Sequence, residues 1–180
     1  MATLCFSRVD SESDFDNFDC GNESINHLIK ASLYSTLLNQ TRAYKLSMKD
    51  FRVGFVALSI SRISCEYSDA DFADFFDKDP SYGAIFVDYI AVDKRIHRNG
   101  IGSTALKYII KESSEVNRFL PIRFVVLDAL RSKYKWYEKH GFLPFNSTDV
   151  SGCSETIRMY LDIMPEDQKR RLDRYIKEEM

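Results

Sequence analysis

The chain has 180 residues, enough for one domain of ordinary size, with 44% hydrophobic and 29% charged residues and a formal net charge of −2. That composition excludes an intrinsically disordered chain, and 7 Gly with 4 Pro exclude collagen-like and low-complexity readings. No apolar run is long enough to span a bilayer, and the N-terminus has neither the basic start nor the apolar stretch of a secretory signal. Cys5, Cys20, Cys65 and Cys153 form no CxxC pair, and His27, His97 and His140 have no metal-ligand spacing. The expectation is a reduced, cytoplasmic, metal-free single domain with no membrane partner.

Thr3–Val9 alternates as a first strand. Asn22 or Ser24 can cap a helix whose apolar positions Ile25, Leu28, Ile29 and Leu33 carry it to about Leu38. Arg42–Met48 and Val53–Ile63 are β-type runs separated by the polar pair Lys49-Asp50, which predicts a hairpin. Residues 66–80 carry six acids and one Lys, with Phe72, Phe75 and Phe76 at helical spacing, so a short amphipathic helix is expected inside an acidic insertion bounded at 66–83. Ala84–Val92 is a buried strand by composition, and Ile101–Val116 a helix with Ala105, Leu106, Ile109 and Ile110 on one stripe. Arg123–Leu127 is a further strand, Lys133–His140 a short helix ended by Gly141, and Thr156–Ile163 a last alternating strand. Pro165–Met180 closes with an amphipathic helix in which Leu172, Ile176 and Met180 recur every four residues. The order predicts an α/β (α+β) domain over 1–162, a mixed central sheet flanked by helices. An extra C-terminal helix over 163–180 packs on that domain or is appended to it.

The informative stretch runs from Ile90 to Ala105. A strand ends at Val92, a polar loop follows, and Gly100 and Gly102 fall at the start of a helix. The first turn of a helix leaves backbone N–H groups without internal partners, its dipole favours anions, and glycine lets the backbone approach a phosphate. The spacing is neither GxGxxG nor a GxxxxGK[ST] loop. From Asp93 to Lys139 there are eleven Lys and Arg against five Asp and Glu, a surface suited to phosphates.

IAVDKRIHRNGIGSTAL resembles the acetyl-CoA signature of the GNAT family of N-acetyltransferases, Gln/Arg-x-x-Gly-x-Gly/Ala after a strand ending in valine. Val92, Gly100 and Gly102 match, and His97 stands at the Gln/Arg position, with Arg95 and Arg98 on either side. A second element, Trp136-Tyr-Glu-Lys-His-Gly-Phe, is similar to the family's tyrosine motif and follows in the family's order. The resemblance implies acetyl-CoA as substrate, bound by Ile90, Ala91 and Val92 through main-chain pairing and by Arg98, Asn99, Gly100, Ile101, Gly102 and Ser103 around the pyrophosphate. It also implies Tyr137 as general acid for the departing thiolate. The family's usual Asn and Ala ahead of the tyrosine are replaced by Leu130 and Lys133. Asp88 stands four residues before Val92, where other members often carry a glutamate acting as base through water. Its even spacing places it on the face of Ile90 and Val92, with Tyr89 and Asp93 turned away and given no role.

Phe18-Asp-Cys-Gly, with the Leu and Ala residues that follow it, and Val126-Leu-Asp-Ala-Leu resemble segments of the acetyltransferase toxins of toxin–antitoxin pairs, which modify the amino group of aminoacyl-tRNA. This branch implies a tRNA acceptor, an antitoxin partner and a homodimer. The acidic stretch favours instead a small cationic amine or a peptide amine as acceptor. A catalytically silent CoA-binding module, acting on a partner through the C-terminal helix, is the non-enzymatic alternative.

Overall fold

A computed structural model describes residues 3–49, 51–64 and 81–179. Strand β1 (Cys5–Arg8) leads through a 3-10 turn to helix α1 (Glu23–Leu37), and of the two candidate caps it is Asn22 whose side chain accepts from the Ile25 N–H at 3.0 Å. Strands β2 (Arg42–Met48), β3 (Phe51–Ser64) and β4 (Ser81–Val92) precede helix α2 (Ile101–Val116). Strand β5 (Ile122–Leu130), helix α3 (Tyr134–Glu138), strand β6 (Leu143–Pro144), helix α4 (Ser147–Ser151), strand β7 (Thr156–Asp162) and helix α5 (Glu166–Glu179) complete the chain. Two expected elements change and two more appear. Residues 81–83, assigned to the acidic insertion, belong to β4, because Gly83, Tyr82 and Ser81 continue the ladder with Arg62, Ile63 and Ser64. The helix expected over Lys133–His140 is a 3-10 turn followed by five α-helical residues. β6 and α4 are too short to leave a periodic signal. The amphipathic helix expected within 66–80 lies outside the described residues, as does Met180.

Among the described residues, seven strands form one sheet in the order β1-β2-β3-β4-β5-β7-β6, and every neighbouring pair is antiparallel except β4 with β5. Those two are joined by α2, the connection a parallel pair requires. One face of the sheet packs against α2 and α3 through Val56, Val87, Leu127, Ile157 and Met159 of the strands and Ile101, Ala105, Leu106 and Ile109 of the helix. The other face buries α1 through Ile29 against Ala43, Phe55, Ala57, Tyr89 and Ala91. Alternation along each strand feeds both layers.

Gly54 in β3 has no room for a side chain. A Cβ there would collide with the carbonyl oxygen of Ala91 on β4, where Gly54 pairs with Val92. Gly54→Ala must push β3 and β4 apart in the middle of the sheet, at a cost of about 3 kcal/mol for overpacking. A fall in Tm of roughly 6–12 °C in thermal unfolding is expected for a chain of this size.

Candidate active site

β4 and β5 pair only from Gly83 with Ile122 to Val87 with Leu127. Beyond that point β4 runs on to Val92 against β3 alone, and β5 runs on to Leu130 against β7 alone. The sheet therefore forks. The inner edge of Asp88–Val92 faces a slot, and among the described residues no strand pairs with it there.

A bulge marks the branch. Ala57 of β3 pairs with Tyr89 and its neighbour Leu58 with Val87, so Asp88 is an extra residue. Val87, Ile90 and Val92 all pack on the α2 face, which leaves Asp88 and Tyr89 together on the other. The expectation that Asp88 shares the face of Ile90 and Val92 is thus corrected, since period-two counting fails across a bulge. Asp88 accepts from the Ser59 hydroxyl at 3.1 Å, and Ser59 is the register partner of Phe86. Its second oxygen, Oδ2, is buried without a hydrogen-bond partner. Burial pushes the carboxyl above its ordinary value, with the Ser59 bond opposing the shift. Tyr89 gives its hydroxyl to a different structure, a 2.7 Å bond with Ser32 of α1.

At the open end of the fork stands the amino end of α2. Gly100 is its N-cap in the left-handed region (φ 75°) with no side-chain cap, so the first-turn N–H groups are left for a ligand. A Cβ on Gly100 would meet nothing within 4 Å, so the glycine answers to its backbone angle rather than to crowding. Gly102 is different: a Cβ there would lie 3.6 Å from the Trp136 ring and 3.8 Å from Val92. That contact brings the loop and the tyrosine motif together. Trp136 also packs on Tyr137 with ring centroids 4.6 Å apart.

The residues after the tyrosine explain its placement. Gly141 (φ 88°) reverses the chain, Phe142 is fully buried, and its N–H returns to the Tyr137 carbonyl at 3.3 Å. The Tyr137 ring lies edge-on to Phe142 at 5.8 Å. Packed between these rings, its phenol is pushed up to about 12 by burial and stays protonated throughout the neutral range. Among the described residues no group hydrogen-bonds to its hydroxyl.

The basic excess sorts into two kinds of side chain. Arg95 donates to both oxygens of the buried Asp93 at 2.8 and 2.6 Å and holds that carboxyl below its ordinary value. Lys94 pairs with Asp19 at 2.6 Å, Arg118 with Glu115, Arg123 with Asp162 and Lys135 with Glu138. Arg98, Lys107, Lys111, Lys133 and Lys139 have no carboxylate partner among the described residues. His97, in place of the usual Gln/Arg, turns back to bond the Val92 carbonyl at 2.8 Å through Nε2. Asn99 likewise turns inward to the Ile96 carbonyl at 3.2 Å. The Phe18–Gly21 opening serves this loop: the Asp19 carbonyl accepts from Lys94 N–H at 2.9 Å, and its carboxylate holds Gly21 N–H and Asn26. Sequence reasoning gave Asp93 and Asp19 no role, and only their spatial partners reveal one. Among the described residues no cluster of His, Cys, Asp and Glu could hold a metal, and no helix is long and apolar enough to cross a membrane.

The model of the acetyltransferase (GNAT) family matches residues 52–142, half of the chain, from β3 through the end of the tyrosine motif. The protein belongs to the GNAT acetyltransferase family. No curated protein matches its sequence. Among solved structures, a variant of KacT is similar over 98% of this chain and 99% of its own, at 16% identity and a TM-score of 0.71. AtaT, in complex with acetyl-methionyl-tRNAfMet, is similar over 94% and 99% at 18% identity and 0.70. A structure described as a bacterial toxin covers 91% and 92% at 19% identity and 0.69. The likeness to these solved structures extends over nine-tenths or more of the chain.

Asp88 supplies a pH test. Its folded carboxyl titrates above the unfolded value, so stability is lost as pH rises through that window and the loss is complete above it. Asp88→Asn removes the buried charge. Its Tm should exceed that of the parent chain at pH 7 and coincide with it below the ordinary carboxylate range, as read by thermal unfolding across pH.

Proposed function

We propose that the protein transfers the acetyl group of acetyl-CoA to the α-amino group of an aminoacyl-tRNA. What supports the transferase reading is the fork: an unpaired strand edge and an uncapped helix amino end meet beside Val92, and the Trp136 ring next to Gly102 packs on the protonated phenol of Tyr137. In this reading the pantetheine amides pair with Ile90–Val92, and the pyrophosphate meets the N–H groups of residues 98–103, with Arg98 free to add charge. Of the expected ligands Asn99 acts through the backbone in this reading, since its side chain bonds the Ile96 carbonyl, and the side chain of His97 at the Gln/Arg position is likewise turned to the loop itself.

The amine attacks the acetyl carbon, the C–N bond forms and the C–S bond breaks. One proton leaves the nitrogen and one reaches the sulfur, so the reaction needs no net proton. Asp88, on the face away from α2, takes the amine proton directly or through water, its raised value favouring uptake. Tyr137 donates a hydrogen bond to the sulfur as it gains charge. With the phenol near 12 and an ordinary thiol at roughly 8.5, complete transfer is uphill, so Tyr137 stabilises the developing thiolate by its hydrogen bond and the departed thiolate takes its proton from water, to which Asp88 returns the amine proton.

The acceptor class draws on different support. AtaT, at 18% identity, is seen with acetyl-methionyl-tRNAfMet, and in another structure with the C-terminus of its antitoxin AtaR. Arg98, Lys107, Lys111, Lys133 and Lys139 offer phosphate contacts of the kind a tRNA needs. An antitoxin and a second copy of the chain are the protein partners this reading implies. The six acids of 66–80 favour the second reading, a small cationic amine.

Tyr137→Phe should lower turnover by about 10²- to 10⁴-fold with acetyl-CoA affinity retained, measured by thiol release and calorimetry. Unchanged turnover would remove Tyr137 from the chemistry. Incubated with charged tRNA and acetyl-CoA, the parent chain should yield acetylated aminoacyl-tRNA in amounts that fall steeply with salt. Acetylation of spermidine with untouched charged tRNA would replace the first reading by the second.

A further inference from the structure

We infer that Asp128 and Arg158 form a recognition pair for an α-aminoacyl group, an ammonium next to a carbonyl, on the acceptor side of the fork. The inference rests on the transferase reading and deepens it with two acceptor-binding residues. Asp128 is the first residue of β5 beyond the last β4–β5 pair, Val87 with Leu127. One more step of that register would set it against Asp88, so a carboxylate residue stands on each strand where the sheet opens. Leu127 and Ala129 pack on the α2 face, and alternation turns Asp128 to the other, the face of Asp88. It is the one exposed residue of a strand otherwise buried or half-buried.

Arg158 fixes that carboxylate. It is the register partner of Asp128 on β7 and donates to both of its oxygens, Nε at 2.8 Å and Nη2 at 2.9 Å. The centre of its guanidinium lies 5.7 Å from the middle of the Phe86 ring on β4, two residues before Asp88. The side chain thus reaches from β7 over β5 to β4 and lies at the base of the fork. With the Arg158 and Asp128 side chains 55% and 35% accessible, the ion pair adds little to folding.

What the pair leaves unused defines a ligand. Nη1 of Arg158 has no hydrogen-bond partner among the described residues, and each Asp128 oxygen keeps a second lone pair beyond its bond to the guanidinium. A free donor beside a free anionic acceptor matches the carbonyl oxygen and the ammonium of an α-aminoacyl group, which sit on adjacent carbons. An ammonium held by Asp128 lies between the two strands, on the face where Asp88 takes its proton. Spermidine has the amine without the carbonyl and leaves the arginine donor unpaired, so the pair favours an aminoacyl acceptor over a plain amine.

The experiment compares Asp128→Asn and Arg158→Met with the parent chain, with charged tRNA as acceptor and uncharged tRNA as competitor. KM for charged tRNA should rise about tenfold in each variant, while kcat and acetyl-CoA affinity stay within about twofold and Tm is unchanged. The inhibition constant of uncharged tRNA should not move, because that molecule lacks the aminoacyl group. An unchanged KM would overturn the inference and leave the pair a cross-strand tie. Weaker competition by uncharged tRNA, by the same factor as the rise in KM, would overturn it too, since Arg158 would then be a phosphate contact. A joint loss of acetyl-CoA affinity and Tm would replace recognition by a structural role. Asp128→Asn, nearly isosteric and exposed, carries the test alone if Arg158→Met does not fold. A parent chain that acetylates spermidine and leaves charged tRNA untouched would refute the proposed acceptor class, and this inference with it, before any variant is compared.

Discussion

The parallel contact between β4 and β5 is short, and the site depends on where it stops. Continued pairing would satisfy the inner edge of Asp88–Val92 with another strand and leave no slot. The bulge at Asp88 enforces the break, because an unpaired extra residue turns β4 away from its neighbour just past Val87. β4 survives alone against β3 because Gly54 allows the two backbones to close up beside Ala91. The separated strand ends are then held by different partners. β4 is fixed by β3 and by Asp93, whose N–H reaches the Val53 carbonyl at 2.9 Å. β5 is fixed by β7 through a ladder that runs to Leu130 and Thr156.

From that separation follow the electrostatics. A slot lined on one side by free backbone N–H groups attracts an anion without any buried positive charge, which would be costly to desolvate. Two of the loop's cations, Lys94 and Arg95, are spent on Asp19 and Asp93 and shape the turn. The two titratable groups of the chemistry sit in surroundings that push both upward, Asp88 towards holding a proton and Tyr137 towards keeping one. In the proposed reaction Asp88 meets the attacking amine and Tyr137 the departing sulfur from opposite faces of the sheet, which requires the substrate to pass through the fork.

Much of this was legible in the chain. The helical stripe of α2, the valine that ends β4 and the two glycines before the helix are local signals, each set by residues within a few positions of one another. Asn22 as cap and Gly141 as stop belong to the same class. What escaped was non-local. The bulge at Asp88 depends on the register of β3, so counting along β4 alone put the carboxylate on the wrong face. His97 resembles a replaced phosphate ligand in sequence, yet its ring bonds the Val92 carbonyl five residues back. The ties of Asp19 to Lys94 and Asp128 to Arg158 join residues tens of positions apart, and no periodicity announces them. β6 and α4 owe their existence to neighbours already in place and not to intrinsic preference.

The two glycines of the loop show how one motif divides its work. Gly100 is needed for a left-handed backbone angle, and an L-residue there costs about 1–2 kcal/mol wherever its side chain points. Gly102 has ordinary angles and space for a methyl group in van der Waals contact with Trp136 and Val92. Its backbone conformation is open to any residue. Conformation accounts for the first glycine, and nothing in the backbone demands the second. The Trp136 ring that Gly102 faces is also the ring against which Tyr137 is set, so one aromatic contact ties the glycine loop to the tyrosine helix. On the proposed reading, a change that moves Trp136 moves the cofactor loop and the phenol together.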